Sequence, residues 1–340
     1  MREVGRTAAV SAIVVNHRRP ELTLECLESL RAALDNLDEP SELIAVDNGS
    51  GDGSAKLIGR RFGEARVIGL PDNRGFAAAV NAGVEASSGE WVLLLNNDAT
   101  IDPEAVKRLL AAARAGGNDL GSLAAEMRFA EAPTVVNSAG IGIDRLGVAY
   151  DRRLGDRAGV ATGPIEVFGA SGGSALLRRR MLDELGGFDA TFFFALEDVD
   201  LAWRARMSGW TALCVGDAVV RHHHGGTGAH ASAFKNYHVG LNRVRVLAKN
   251  ASGGQLRRYG AAIVAYELAY VAFAVVADHT LAPLRGRLRG LREWGAYRRA
   301  GAGGRRPVEL EPVRGLRAAL RRRAAWGHGS GSEPPSAGAG

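Results

Sequence analysis

The 340 residues carry 43 Lys and Arg against 37 Asp and Glu, with 46% hydrophobic residues and two cysteines. That apolar share fills the core of one large domain or two ordinary ones and excludes a disordered chain. Cys26 and Cys214 lie far apart with no CxxC or zinc spacing, which excludes a disulfide scaffold and suits a reducing compartment.

The formal charge of +6 is local. Between Arg285 and Arg323 stand thirteen Arg, three Glu and no Lys or Asp, a local +10 that leaves −4 for the rest. A body that grips nucleic acid is therefore not expected, whereas a basic appendage beside an anionic surface is. Met1 to Thr7 is polar, and Val10 to Val15 is too short for the apolar core of a secretory signal. A cytoplasmic protein is the expectation.

Residues 9–16 (AVSAIVVN) read as a buried strand ending in Asn16. Pro20 opens a helix with Leu24, Leu27, Leu30, Leu34 and Leu37 at helical spacing. Residues 42–46 (ELIAV) form the next strand, followed by Asp47-Asn48-Gly49-Ser50-Gly51-Asp52-Gly53, too polar and Gly-rich to be buried. Arg66 to Leu70 is a third strand. Asn73-Arg74-Gly75 leads into a small-residue helix over 76–87 that carries Asn81. Trp91 to Leu95 is a continuous apolar run suited to a fully buried parallel strand. It delivers Asn96, Asn97 and Asp98 at its carboxyl end, and Asp102-Pro103 reads as the N-cap and first position of a helix.

Strand and helix alternate four times, the signal of a parallel sheet with crossover helices. Asn16, Asp47 and the 96–98 cluster then share one polar rim, at the edge where open α/β sheets bind ligands. No GxGxxG follows the first strand and there is no GxxxxGK[ST] loop, so the dinucleotide and P-loop patterns are excluded. Asp47 suits a ribose or a pyrimidine N–H, Arg74 a base edge or a phosphate, and Asp98 a divalent cation carrying substrate phosphates.

Farther on, FGASGGSALL (168–177) places small residues around a turn. Phe188, Phe192, Phe193 and Phe194 then crowd just before Glu197-Asp198-Val199-Asp200, at the start of a stretch of helical composition. Partial burial beside those rings would raise a carboxylate toward the range of a usable general base; plain capping of the helix by acids is the alternative. Residues 211–215 and 218–221 read as two strands, the second running into His222-His223-His224.

VVN at 14–16, AVDNGSGDGS at 45–54, NRGFAAAVNAG at 73–83, LLLNND at 93–98 and GGFDATFFFALEDVDLAWR at 186–204 resemble family 2 glycosyltransferases, in particular the rhamnosyltransferase-like and galactofuranosyltransferase-like bacterial group. The resemblance covers about residues 8–250. It implies the A-type glycosyltransferase fold, a Rossmann-like, mostly parallel sheet that binds a nucleotide diphosphate-sugar, followed here by a C-terminal helical segment. It implies transfer of a sugar, L-rhamnose being one candidate, to a saccharide or lipid-linked saccharide acceptor in cell-surface polysaccharide or glycolipid synthesis. Carried over residue by residue, Asp198 with Glu197 falls at the catalytic base. Asn16, Asp47, Asn48, Arg74 and Asn97 fall at the donor nucleotide. Asp98 falls at a divalent cation, Mg²⁺ or Mn²⁺, with His222 or alternatively His223 as a further ligand. Asn96-Asn97-Asp98 stands where many relatives have Asp-x-Asp, which leaves one carboxylate for the cation. A nucleotidyltransferase and a non-catalytic membrane- or polysaccharide-binding scaffold are the alternatives.

The resulting organisation is a catalytic domain over 8–250, with a nucleotide-binding half (8–102) and an acceptor half (103–250), a helical segment over 251–323 and a flexible tail over 324–340. Residues 234–249 read as a basic amphipathic helix, and 259–277 are apolar over a nearly membrane-spanning length interrupted by Glu267. With the Arg-rich stretch behind it, that helix is expected at an anionic membrane surface, on the inner face of the cell membrane, rather than across it. Docking on a partner or packing on the core are the other readings.

Overall fold

The computed structural model describes residues 8–160, 163–223, 232–301 and 307–314. The 324–340 tail and His224 lie outside the described residues.

The first half alternates as the apolar runs dictate: β1 (Val10–Asn16), α1 (Pro20–Asp35), β2 (Ser41–Asn48), α2 (Ser54–Arg61), β3 (Arg66–Leu70), α3 (Phe76–Glu85) and β4 (Trp91–Asn96). Strands β5 (Ala99–Ile101), helix α4 (Ala105–Ala115), β6 (Leu120–Phe129), β7 (Val136–Ser138), β8 (Ile141–Ile143), β9 (Ala149–Asp151), β10 (Pro164–Glu166) and β11 (Ser174–Arg178) follow. Helices α5 (Arg179–Leu185) and α6 (Glu197–Ser208), strand β12 (Thr211–His222), and helices α7 (Ala233–Asn250), α8 (Gly253–Ala277) and α9 (Ala282–Ala300) complete the chain.

One large sheet runs in the order β10-β12-β6-β11-β4-β1-β2-β3. β3, β2, β1 and β4 are parallel, β12 is parallel to β6, and β11 lies antiparallel between β4 and β6. Its two faces bury separate apolar layers. Val10, Ala12 and Val14 pack with Leu27, Leu30, Leu109 and Leu110 on one side; Ile13, Ile44 and Leu94 pack with Val80, Leu182 and Leu201 on the other. Alternate residues of β1 thus serve opposite faces, as the two-residue period of a strand requires.

Two readings of the sequence are corrected, and one strand is added. Residues 211–221 are one strand, not two: Gly216-Asp217-Ala218 makes an irregular bulge, with the register against β6 shifting between Val215 and Val219. Asp102 does not cap α4, which begins at Ala105 with no side-chain cap; its carboxylate accepts from Arg221 of β12 instead. Strand β6 was not foreseen. Its sequence, LGSLAAEMRF, is rich in helix formers, and pairing with β11 on one side and β12 on the other overrides that propensity.

The C-terminal helices are tied to the rest. Helix α9 lies backbone-close along α7: a Cβ on Gly286 would fall 2.1 Å from the Tyr237 carbonyl oxygen, and one on Gly240 would fall 2.5 Å from that of Pro283. Glu267, midway along α8, bonds Arg243 of α7 at 3.0 Å and Arg287 of α9 at 2.6 Å. Glu311 returns to the body, accepting from Tyr150 and Arg152.

Candidate active site

Parallel pairing puts the polar strand ends side by side, with Asn16 opposite Asp47 and Val15 opposite Asn96. Asn16 is fully buried, and its amide donates to Asp47 Oδ1 at 2.7 Å and to Ser50 Oγ at 3.1 Å. Ser50 Oγ donates to the same Asp47 oxygen at 2.5 Å. Thr23 Oγ1, on α1, donates to Asn16 Oδ1 at 2.8 Å and accepts from the Asn97 amide at 3.1 Å. One network therefore joins the ends of β1, β2 and β4 to the first helix. Buried polar groups so satisfied hold a single arrangement. Ser50 and Thr23 were missed by sequence reasoning, because a Ser in a polar loop and a Thr in an amphipathic helix carry no distinguishing signal.

Asn48 braces the next turn. Its amide nitrogen donates to Asn73 Oδ1 at 3.0 Å and to the Gly75 carbonyl at 3.3 Å, and its oxygen accepts from Arg74 N at 2.9 Å. Gly75 has φ +83°, and a Cβ there would fall 2.5 Å from the Phe193 carbonyl oxygen, so only glycine fits this approach.

A cleft of about 590 Å³ opens at this rim, a size ordinary for a small-molecule site. Asn48, Asn97, Glu197, Asp198 and His222 all line it. Asn16, Asp47 and Asp98 are buried and do not line it, and Arg74 is exposed outside its lining.

Asp198 sits at the start of α6. Its Oδ2 accepts from Gly172 N at 2.9 Å and its Oδ1 from Val199 N at 2.8 Å. The residues just before it, Ala195 and Leu196, have φ of +65° and +66°, a conformation costly without glycine. Asn242 of α7, fully buried, clamps that turn by donating to the carbonyls of Phe194 at 2.9 Å and Ala195 at 2.8 Å. Asp200, equally buried, binds α6 to α7 through Lys249 at 2.9 Å and Asn250 at 2.9 Å, and pairs with Arg204 at 2.7 Å. The bonds from α7 were invisible in the sequence, since each spans more than forty residues.

The two adjacent acids differ. Burial, reinforced by the charge of Asp198, pushes Glu197 up to about 8, and its Oε2 has no hydrogen-bond partner among the described residues. Burial raises Asp198 as well, while the backbone donors of Gly172 and Val199 pull it back down. The proton of the pair therefore belongs on Glu197, leaving Asp198 the acceptor.

Strand β5 pairs antiparallel with the end of β12, Ala99 opposite His222, and so carries Asp98 to the histidine ring. Asp98 Oδ1 lies 3.1 Å from His222 Nε2, and His222 Nδ1 lies 3.1 Å from Asn137 Oδ1. His223 turns away, with its Nδ1 3.2 Å from Glu131. A hard carboxylate beside an imidazole whose far nitrogen meets an oxygen is a donor set that fits a divalent cation. Among the described residues no group of three His, Cys, Asp or Glu side chains could hold a metal.

The fold is that of the A-type glycosyltransferases. Superposition on GalNAc-T7, solved with UDP, GalNAc and Mn²⁺, gives a TM-score of 0.56 at 16% identity, over 72% of this chain and 48% of that one. The mannosyltransferase PcManGT of Pyrobaculum calidifontis, solved with GDP-Man and Mn²⁺, gives 0.51 at 18% identity, over 95% of this chain and 81% of that one. The profile of glycosyl transferase family 2 matches residues 11–186, and the chain belongs to that family. Among characterised relatives, the N-acetylglucosaminyl-diphospho-decaprenol L-rhamnosyltransferase of Mycobacterium tuberculosis is 29% identical over 225 residues, 58% of this chain and 71% of its own length. An undecaprenyl-phosphate 4-deoxy-4-formamido-L-arabinose transferase of Aeromonas hydrophila is 33% identical over 117 residues, 33% of this chain and 36% of its own.

Proposed function

We propose that this glycosyltransferase is an inverting enzyme that moves a sugar from a nucleotide diphosphate-sugar to a hydroxyl of a lipid-linked saccharide, in cell-surface polysaccharide or glycolipid synthesis on the cytoplasmic side of the membrane. L-Rhamnose is the sugar to test first, given the similarity to a rhamnosyltransferase. The observation that carries the reading is Asp198, an oriented carboxylate in the same cleft as His222 and the donor-side residues Asn48 and Asn97.

In this reading Asn48 and Asn97 meet the nucleotide inside the cleft and Arg74 meets it from the rim, while Asn16 and Asp47 keep the strand ends in register. The acceptor oxygen attacks the anomeric carbon from the side opposite the diphosphate, and its proton passes to Asp198. The bond from the anomeric carbon to the diphosphate oxygen breaks, and the diphosphate leaves with the electron pair. Glu197, holding its proton, adds no second negative charge beside the base. Asp98 and His222 would hold a divalent cation, Mn²⁺ or Mg²⁺, which when bound neutralises charge on the departing diphosphate.

A panel of nucleotide-sugars, assayed with and without acceptor, tests the donor. Asp198→Asn retains shape and hydrogen bonding but removes the base, so turnover should fall by ~10²–10⁴-fold with donor affinity near wild type. A variant that binds donor poorly yet turns over what it binds at the normal rate would make Asp198 a structural cap.

A further inference from the structure

Helix α8 is long and apolar enough to cross a membrane, yet only 11% of its apolar window is buried. Its inner side, with Ile263, Tyr266, Glu267, Tyr270 and Ala274, is the buried or half-buried one. The opposite side exposes Val264 (58%), Leu268 (64%), Phe273 (47%) and Val276 (75%), and alanines fill the positions between them. At 100° per residue this charge-free surface covers about half the helix circumference, far more than scattered surface leucines would. Leu281, just before α9, and Leu288 and Leu291 on it are exposed as well.

Exposed arginines stand on both helices. Arg257 and Arg258 lie at the start of α8, and Arg285, Arg292 and Arg299 recur at seven-residue spacing along one side of α9. The acids of the two helices do not offset them: Glu267 is half-buried between Arg243 and Arg287, and Glu293 is bonded to Arg245 and Arg289.

We propose that the outer face of the α8–α9 hairpin is a docking surface for an anionic lipid bilayer, with α8 lying in the interface plane. The charge pattern selects this occupant. A second copy docked by two-fold symmetry would bring like arginines together, whereas an anionic surface meets all of them favourably. Apolar insertion together with exposed arginines is the pair of signals that stable peripheral binding needs. Lying flat is set by Glu267: for α8 to span a bilayer, this carboxylate would have to leave Arg243 and Arg287 and enter hydrocarbon. Helix α7 relates the surface to the cleft, since Phe234 and Lys235 line the cleft and Arg243, two turns on, holds α8. An enzyme so seated would meet lipid-borne substrates at the membrane surface.

The test is sedimentation of the full chain with vesicles of phosphatidylcholine alone or mixed with phosphatidylglycerol, at low and high salt. Wild type should bind the anionic vesicles at least about tenfold more strongly, and high salt should release part of it. Leu268→Glu/Val276→Glu, on the exposed side, should reduce binding by about tenfold or more. Arg285→Glu/Arg292→Glu should remove mainly the salt-sensitive part. Circular dichroism and donor hydrolysis should be unchanged in both, so vesicle binding and catalysis can fail separately. Wild type that stays in the supernatant with either vesicle overturns the proposal. So does a dimer, seen by analytical ultracentrifugation, that the Leu268→Glu/Val276→Glu variant dissolves.

Discussion

Replacing Glu197 by Gln isolates the acid pair at the head of α6. In the folded protein Glu197 is raised from 4.5 to about 8, first by burial and then by the charge of Asp198. Between those values the native state holds a proton that the unfolded chain has released, so stability must fall as pH rises through this window. The contribution is fully present below pH 4.5 and lost by about pH 8. At 1.36 kcal/mol per pH unit the loss between pH 5.5 and 8 is about 3 kcal/mol. Glutamine has nearly the shape of the protonated acid and does not titrate. Any cost of burying its amide, about 1–3 kcal/mol, is the same at both pH values and cancels in the difference. Urea unfolding of wild type and Glu197→Gln at pH 5.5 and 8 is the assay. Wild type should lose about 3 kcal/mol more than the variant across the interval. Equal pH dependence in the two proteins would refute the reasoning. Turnover should persist in the variant, because Asp198 is the proposed base; a loss as deep as that of Asp198→Asn would reverse the two roles.

Two other outcomes follow from single contacts. Asp98→Ala, and to a smaller extent His222→Ala, should weaken cation-dependent binding of a nucleoside diphosphate measured by calorimetry with Mn²⁺, while His223→Ala should leave it unchanged; wild-type affinity in Asp98→Ala would remove this carboxylate from the cation site. Asp200→Ala strips a buried carboxylate from Arg204 and Lys249, and should cost about 3 kcal/mol in urea unfolding. That figure is at the low end for a broken buried pair, because Lys249 retains Asp189 at 2.6 Å and Arg204 retains the Leu185 and Gly187 carbonyls at 2.9 Å; a loss below about 1 kcal/mol would show that α7 is held chiefly by its packing.

The amino-acid sequence by itself determined the parallel half of the sheet and the family. Short apolar runs closed by Asn or Asp are local signals: burial on both faces of a strand and polarity at its end are both written in consecutive residues, as VVN, AVDN and LLLNND show. The acids opening α6 were legible for the same reason. What only the tertiary structure decided depends on groups distant in the chain. Strand β6 is extended because β11 and β12 supply its partners, against the propensity of its own residues. Asp98 faces His222 rather than His223 because β5 pairs with β12 in one register, and a one-residue slip would turn the other ring inward. Asp47 reads as a ligand contact in sequence, and only the structure shows it buried with its Oδ1 accepting from Asn16 and Ser50. The left-handed turn before Asp198 is held by Asn242, whose position on a distant helix no local pattern announces. Local burial and polarity are encoded residue by residue, whereas pairing across the chain is settled only when the sheet closes and each buried polar group must find its partner.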